Sequence, residues 1–319
     1  MREQLPSQPP EFGEDFRGVL EDMDAIVVPG LTHWQRPSFF AYYPSNTSGP
    51  AVLAELLTAG RNVQGMMWQT SPACTELEQH VLDWLAGMLG LSDRFLSSGS
   101  GGGVIQDTAS SAILMALLAA LHRASSGRVT RDGVACGRFT VYTSTEGYSA
   151  CEKAARVAGL GAAAVRSIDT SADFSMDPDA LRSAMERDVA AGCIPVMVMA
   201  TIGTTSTGAI DPVSGIGPVC TEFGAWLHAD AAHAGVAAMC PELRWIHDGV
   251  NDYADSYATN PHKWLLTTSD CDTCYLTDRD ALIGALSVLP EYLRNQASES
   301  HAVVDYRDWG CRWAAGSVP

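Results

Sequence analysis

An α/β fold built on a mostly parallel sheet, covered by helices on both faces, is what this sequence predicts, and three observations carry the prediction. Strand-like and helical segments alternate from Phe139 to Asp230. The run Ile194 to Ile202 is apolar without interruption, as expected of a strand buried on both faces. The chain has 319 residues, is 46% apolar and has a mean hydropathy of +0.02, enough apolar material for a large globular core.

In chain order, Gly49 to Arg61 and Ser71 to Leu91 read as helices. The second places Ser71 at the N-cap, Pro72 in the first turn and Gly90 near the end, with Leu77, Val81, Trp84, Leu85 and Met88 as its expected core-facing stripe. Asp107 to Arg123 reads as a helix that is apolar nearly all round and therefore buried. Then follow a strand over Phe139 to Thr143, a helix over Tyr148 to Ala158 and a strand over Ala163 to Ile168. A helix over Pro178 to Ala191, capped by Asp177, precedes the Ile194 run. Val213 to Phe223 reads as a helix, and Ala225 to Ala229 as a short strand ending in Asp230. In such sheets, ligands bind beyond the carboxyl ends of the strands.

A formal charge of -17 and a pI near 4.7 oppose binding to nucleic acid or an anionic membrane surface. The N-terminus lacks the pattern of a secretory leader, and the longest apolar run, Ala112 to Leu121, is about half of what a bilayer demands. A cytoplasmic protein is expected. Of the nine cysteines, only Cys271 and Cys274 form a close pair, and buried thiols are preferred there to a zinc or redox site.

Three features carry chemistry. Lys263, in Thr-Asn-Pro-His-Lys-Trp (259–264), sits in an apolar and aromatic setting that would lower its pKa and make it a Schiff-base former. Asp230 stands at the end of an apolar strand and is followed by small residues. A carboxylate there can keep a pyridinium nitrogen protonated, and Ala232 leaves room for a flat ring. Asp230 is equally readable as a helix cap or turn residue, whereas a metal cluster with His228 and His233 is disfavoured because no further carboxylate or cysteine ligand falls nearby, and no metal is expected. Lastly, Gln-Asp-Thr-Ala-Ser-Ser (106–111), after Gly101, Gly102 and Gly103, opens a buried helix and offers an anion site. No nucleotide P-loop motif is present.

A phosphate-type helix start, then Asp230, then Lys263 about thirty residues later resembles the large domain of fold-type I pyridoxal 5'-phosphate (PLP) enzymes. Within these, the chain is similar to the group II decarboxylases, in particular aromatic-L-amino-acid decarboxylases. The segments that carry the resemblance are Pro-Gly-Leu-Thr-His-Trp (29–34), Phe-Phe-Ala-Tyr-Tyr-Pro (39–44) and Ser-Pro-Ala-Cys-Thr-Glu-Leu-Glu (71–78). Further on come Gly-Gly-Gly-Val-Ile-Gln (101–106), Ala-Thr-Ile-Gly-Thr-Thr (200–205), the Asp230 segment and Asn-Pro-His-Lys-Trp (260–264).

The resemblance implies that Lys263 bonds to the cofactor aldehyde and Asp230 pairs with its ring nitrogen, with catalysis shared among Lys263, Asp230, Tyr292, His262 and Tyr148. It places Ala109, Ser110 and Asn260 at the phosphate, Thr205 near the phenolic side of the ring, Ala232 against the ring, and His262 beside the lysine. Trp34, Tyr42, Tyr43, Pro44 and Ser45 match the substrate pocket, and Gln64 with Met66 would enter from the second subunit of a homodimer with shared sites. Tyr292, in Leu-Pro-Glu-Tyr-Leu (289–293), matches a tyrosine that returns a proton after carbon dioxide leaves. The implied activity is decarboxylation of an aromatic L-amino acid, with an aldehyde-forming synthase and a catalytically silent PLP-binding fragment as alternatives.

The implied domains are a helical, dimerising segment over 1–70, a PLP-binding domain over 71–309, and an aberrant tail over 310–319 in place of a C-terminal small domain. The tail Cys-Arg-Trp-Ala-Ala-Gly-Ser-Val (311–318) can be coded by bases that, read one position earlier after a G, spell V-P-L-G-R-R-F-R, the segment the family carries there. A frame slip near Gly310 is therefore expected. Other departures are Tyr148 for a ring-stacking histidine, His233 for a tyrosine and Asp107 for a glycine, while Gln64 and Met66 make the pocket less apolar.

Overall fold

The computed structural model describes residues 1–43, 45–288 and 303–310. Its backbone divides into two units, Met1–Pro44 and Ser45–Pro319. In the first, Asp15 caps helix α1 (Phe16–Asp22) by accepting the Arg17 N–H at 3.3 Å. Wider and tighter turns over Met23–Val27 and Val28–Gly30 follow.

In the second unit, Ser48 caps α2 (Gly49–Arg61), which ends at Asn62 in the left-handed region. Helix α3 (Pro72–Leu89) starts after Ser71 and ends at Gly90 with φ 74°, a value that suits glycine. The rest runs β1 (Gly102–Gln106), α4 (Ala109–Ser125), α5 (Arg128–Asp132), β2 (Phe139–Ser144), α6 (Ala150–Val157), β3 (Val165–Ile168), α7 (Pro178–Ala190) and β4 (Ile194–Thr201). Then come α8 (Val213–Phe223), β5 (Trp226–Asp230), α9 (Val250–Tyr253), β6 (Ser256–Thr259), α10 (Pro261–Trp264), β7 (Asp272–Leu276) and α11 (Arg279–Leu286).

The seven strands form one sheet in the order β1-β7-β6-β5-β4-β2-β3. Strands β3, β2, β4, β5 and β6 pair in parallel, and β7 runs antiparallel to both β6 and β1. The predicted mostly parallel sheet is therefore present. Alternation along β4 divides the core between the two faces. Val198 and Ala200 pack with Leu82 of α3, Leu181 of α7 and Ile216 of α8. Met197 and Met199 pack with Ile113 of α4, Ala154 of α6 and Leu282 of α11.

One local expectation is corrected. The stripe expected to hold α3 to the core faces outward, with Leu77 63%, Trp84 62% and Met88 54% exposed. Leu82, Ala86 and Leu89 are buried instead, and Leu85 packs at the edge of that cluster. Helix α3 is apolar on two sides, and periodicity cannot say which side meets the sheet. The glycines before α4 are not a loose turn but lead into and form part of β1. A Cβ on Gly103 would lie 2.8 Å from a Tyr275 ring carbon and 3.2 Å from the Leu82 Cβ, so the strand and α3 approach closely only because the side chain is missing.

Candidate functional site

The parallel topology brings the carboxyl ends of β2, β4, β5 and β6 to one edge of the sheet, and the antiparallel β7 begins at that same edge. Asp230 closes β5, opposite Thr201 at the end of β4. Beyond β6, Asn260 and Pro261 turn the chain into the single helical turn α10, which carries Lys263.

That turn is held from several directions. The Lys263 N–H donates to the Asn260 carbonyl at 3.0 Å, and the Asn260 N–H donates to the Ala232 carbonyl at 3.2 Å. Asn46 donates its backbone N–H to the His262 carbonyl at 3.0 Å and its side-chain amide to the Lys263 carbonyl at 3.1 Å. His262 Nδ1 accepts the Cys271 N–H at 3.2 Å, so its ring serves the backbone of the next segment. Asn46 was not among the expected site residues, because nothing in a loop asparagine signals a partner more than two hundred positions away.

Asp230 is only 3% exposed, and its Oδ1 accepts the Ala232 N–H at 3.1 Å. Burial raises its pKa, while the Ala232 N–H and the nearby Lys263 charge pull it back. For Lys263, burial lowers the pKa and Asp230 and Asp272 oppose the shift. The result is a half-buried amine with more nucleophilic character than a solvated lysine, within electrostatic reach of a buried carboxylate. Asp272, a second buried acid at the start of β7, is also within that reach and was not foreseen. It sits two residues from Asp270 in a segment that reads as an ordinary polar loop.

Polar atoms without hydrogen-bond partners collect at this edge: Thr143 Oγ1, Ser144 Oγ and Thr201 Oγ1 are all buried. Orphaned buried groups of this kind fit a polar ligand. A half-buried amine, a buried carboxylate at a strand end and several unsatisfied polar groups suit an aldehyde whose aromatic ring carries a basic nitrogen and a phosphate. Ala109 and Ser110 form the first turn of α4, after Asp107 has folded its carboxylate onto the Thr108 N–H at 2.9 Å. Thr205 lies on the exposed turn after β4, where Gly203, at φ 89°, passes so near Ala234 that a Cβ would sit 2.7 Å from that residue's own. Tyr148 lies on the β2–α6 turn, 46% exposed.

The remaining expected residues are described each within its own unit. Trp34 stacks on Tyr42 at 5.6 Å within the first unit, where Tyr43 also lies. Ser45 begins the second unit, in which the Gln64 carbonyl accepts the Thr70 hydroxyl and the Met66 carbonyl accepts the Arg307 N–H. Pro44, Tyr292 and the tail over 311–319 lie outside the described residues.

Histidine 228 is wholly buried, its Nδ1 is 2.8 Å from Ser256 Oγ, and burial pushes its pKa down to about 3. His233 accepts the Trp264 indole N–H at 3.2 Å. Among the described residues no group of three His, Cys, Asp or Glu side chains could hold a metal ion. Cys271 and Cys274 are buried, and burial pushes the Cys271 thiol up to about 11 and the Cys274 thiol well above its ordinary value, as for packed thiols. No helix among the described residues is long and apolar enough to cross a membrane.

Comparison with known proteins follows this geometry. Over residues 1–315 the chain matches the model of the pyridoxal-dependent decarboxylase conserved domain. It is 45% identical over 309 residues to phenylacetaldehyde synthase of Arabidopsis thaliana, covering 96% of this chain and 62% of the synthase. It is 46% identical over 311 residues to tyrosine decarboxylase 2 of Narcissus pseudonarcissus, covering 97% of this chain and 61% of the relative. The crystal structure of Oryza sativa TDC with PLP and tryptamine superposes with a TM-score of 0.94 at 43% identity, covering 98% of this chain and 64% of that one. The chain thus spans about three fifths of the length of these relatives. With a family model matched along nearly its whole length, the chain belongs to the pyridoxal-dependent decarboxylase family.

Proposed function

We propose that the protein uses PLP to remove the carboxylate of an aromatic L-amino acid, giving the amine and carbon dioxide. The observation that carries this reading is the half-buried Lys263 amine within electrostatic reach of the buried Asp230 carboxylate at the carboxyl end of a parallel sheet. When bound, the cofactor supplies an electron sink for the pair left on Cα as carbon dioxide departs. Lys263 provides the amine that holds the cofactor, and its lowered pKa favours the neutral, nucleophilic form. Asp230 keeps a negative charge where the ring nitrogen needs a proton. Asn260 and the first turn of α4, with Ala109 and Ser110, take the phosphate, and Ala232, Thr205, His262 and Tyr148 border the ring. Tyr292 donates the proton to Cα. Trp34, Tyr42, Tyr43, Pro44 and Ser45 shape the aromatic pocket, with Gln64 and Met66 of a partner subunit.

A homodimer is part of the proposal. Val52, Leu53, Leu56 and Leu57 of α2 are each more than half exposed, a concentration of apolar surface that calls for cover. A cytoplasmic location completes it, supported by free thiols among the described cysteines, of which Cys151, Cys193, Cys220, Cys271 and Cys274 are buried as small apolar residues.

The test is an absorbance band from covalently held cofactor, borohydride trapping at Lys263, and release of carbon dioxide from tyrosine, dopa, tryptophan or phenylalanine. Lys263→Ala should abolish all three. A protein that binds PLP at Lys263 yet releases no carbon dioxide is the silent fragment, for which the outward stripe of α3 speaks. The relative from Arabidopsis thaliana favours one further reading, an aldehyde synthase. It would consume dioxygen and release aldehyde, ammonia and hydrogen peroxide alongside carbon dioxide.

A further inference from the structure

Asp272 is a buried acid that the proposed chemistry does not use. It is the first residue of β7, lies opposite Gln106 of β1 in the sheet register, and has no exposed surface. The Asn260 side-chain amide donates to its Oδ1 at 3.0 Å. What remains on this pair is two acceptors without a donor: Asp272 Oδ2 and Asn260 Oδ1 are both buried and both lack a partner. A proton on the carboxyl group is the one addition that satisfies both, because it turns a single hydrogen bond into a reciprocal acid–amide pair.

We propose that Asp272 is a neutral carboxylic acid that gives its proton to the Asn260 amide oxygen, a positioning residue that locks the Lys263 turn and leaves Asp230 as the single anion there. The lock follows from the backbone of Asn260. Its N–H is tied to Ala232, just past Asp230, and its carbonyl to the Lys263 N–H, so a fixed Asn260 side chain fixes both reacting groups relative to each other.

The charges around Asp272 agree. Asp230 and Asp107 repel a negative charge on it and Lys263 attracts one, while complete burial disfavours the ion outright. Of the two acids nearest the lysine, Asp230 accepts a backbone N–H, whereas Asp272 has only a side-chain amide that can serve a neutral partner equally well. Two carboxylates this close to one amine are poorly tolerated when both ionise. The consequence for Lys263 rests on the cofactor reading; the protonated pair does not.

Infrared difference spectroscopy of the cofactor-free protein, wild type minus Asp272→Asn, tests the pairing directly. The expected result is a protonated-carboxyl carbonyl band that shifts in heavy water and persists from about pH 5 to about pH 8, far above the usual aspartate range. Asp272→Ser serves as the second subtraction should the amide variant fold poorly. A carboxylate band in its place would overturn the proposal, whether or not the protein ever binds PLP. Cofactor affinity gives the second readout. Asparagine reproduces the neutral pair, so Asp272→Asn should stay within about 3-fold of wild type, while Asp272→Ala, which strands the Asn260 amide, should lose about 10-fold or more. A loss in Asp272→Asn as large as in Asp272→Ala would mean that the charge is what matters, and would defeat the proposal.

Discussion

Asp211→Asn should flatten the pH dependence of stability, and the structure gives the size of the effect. Asp211 is 1% exposed, and its two oxygens accept the Met176 and Thr201 N–H groups, each at 2.7 Å. It therefore ties the end of β4, opposite Asp230, to the segment that leads into α7. Burial pushes its pKa up from 3.8 to about 6, against those two hydrogen bonds and with added repulsion from Asp230 and Asp173. An acid whose pKa is higher in the folded state stabilises the fold fully below the unfolded value, and this contribution is lost as pH rises through the folded value. A shift of about two units corresponds to roughly 3 kcal/mol, of which about 1.4 kcal/mol is lost between about pH 5 and about pH 8.

Asparagine keeps one acceptor, carries no charge, and sets an amide NH₂ against the other backbone N–H, at a cost of about 1–3 kcal/mol. The variant is thus less stable than wild type at pH 5, and the gap should shrink by about 1.4 kcal/mol by pH 8. Urea unfolding at four or five pH values measures it, kept above the pI of 4.7, where the chain carries little net charge. Wild-type and variant curves that run parallel across this range would refute the assignment of the pH dependence to Asp211.

Three further outcomes are expected. Asp230→Asn removes the negative charge proposed to keep the ring nitrogen protonated, so kcat/KM should fall by about 10² to 10³ or more, and a loss below tenfold would contradict its role. Asp188→Ala strips the acceptor from the buried Tyr142 hydroxyl, at 2.8 Å, and from the Arg166 guanidinium, at 2.9 Å. Since Arg166 is partly exposed, the loss should be about 2–4 kcal/mol, read as a lower denaturation midpoint. Gly103→Ala forces a Cβ against Tyr275 and Leu82 and should cost about 1–3 kcal/mol by the same assay, with no cost if β1 and α3 are less tightly apposed than the contacts imply.

Much of the molecule was legible in residue order because the informative signals are local. The apolar run of β4, the Asp177 cap of α7 and the helix over Val213–Phe223 each depend on neighbours a few positions apart, and each appears where read. The same holds for Lys263 and Asp230, whose types and settings point to chemistry before any fold is known. Strands β1, β6 and β7 were not legible, since glycine or polar residues interrupt the apolar pattern of each (Gly102 and Gly103, Ser256 and Thr259, Asp272 and Thr273), and each gains its identity from pairing with the others.

What the sequence by itself determined is the kind of sheet, the family and the lysine–carboxylate pair, because these rest on periodicity and on residue type. Only the tertiary structure decided which face of α3 meets the sheet, that Asn46 braces the Lys263 turn, and that Asp272 stands beside Asn260. Those depend on groups far apart in the chain, and it is burial in a shared interior, where an unpartnered polar atom is costly, that gives such pairings their meaning.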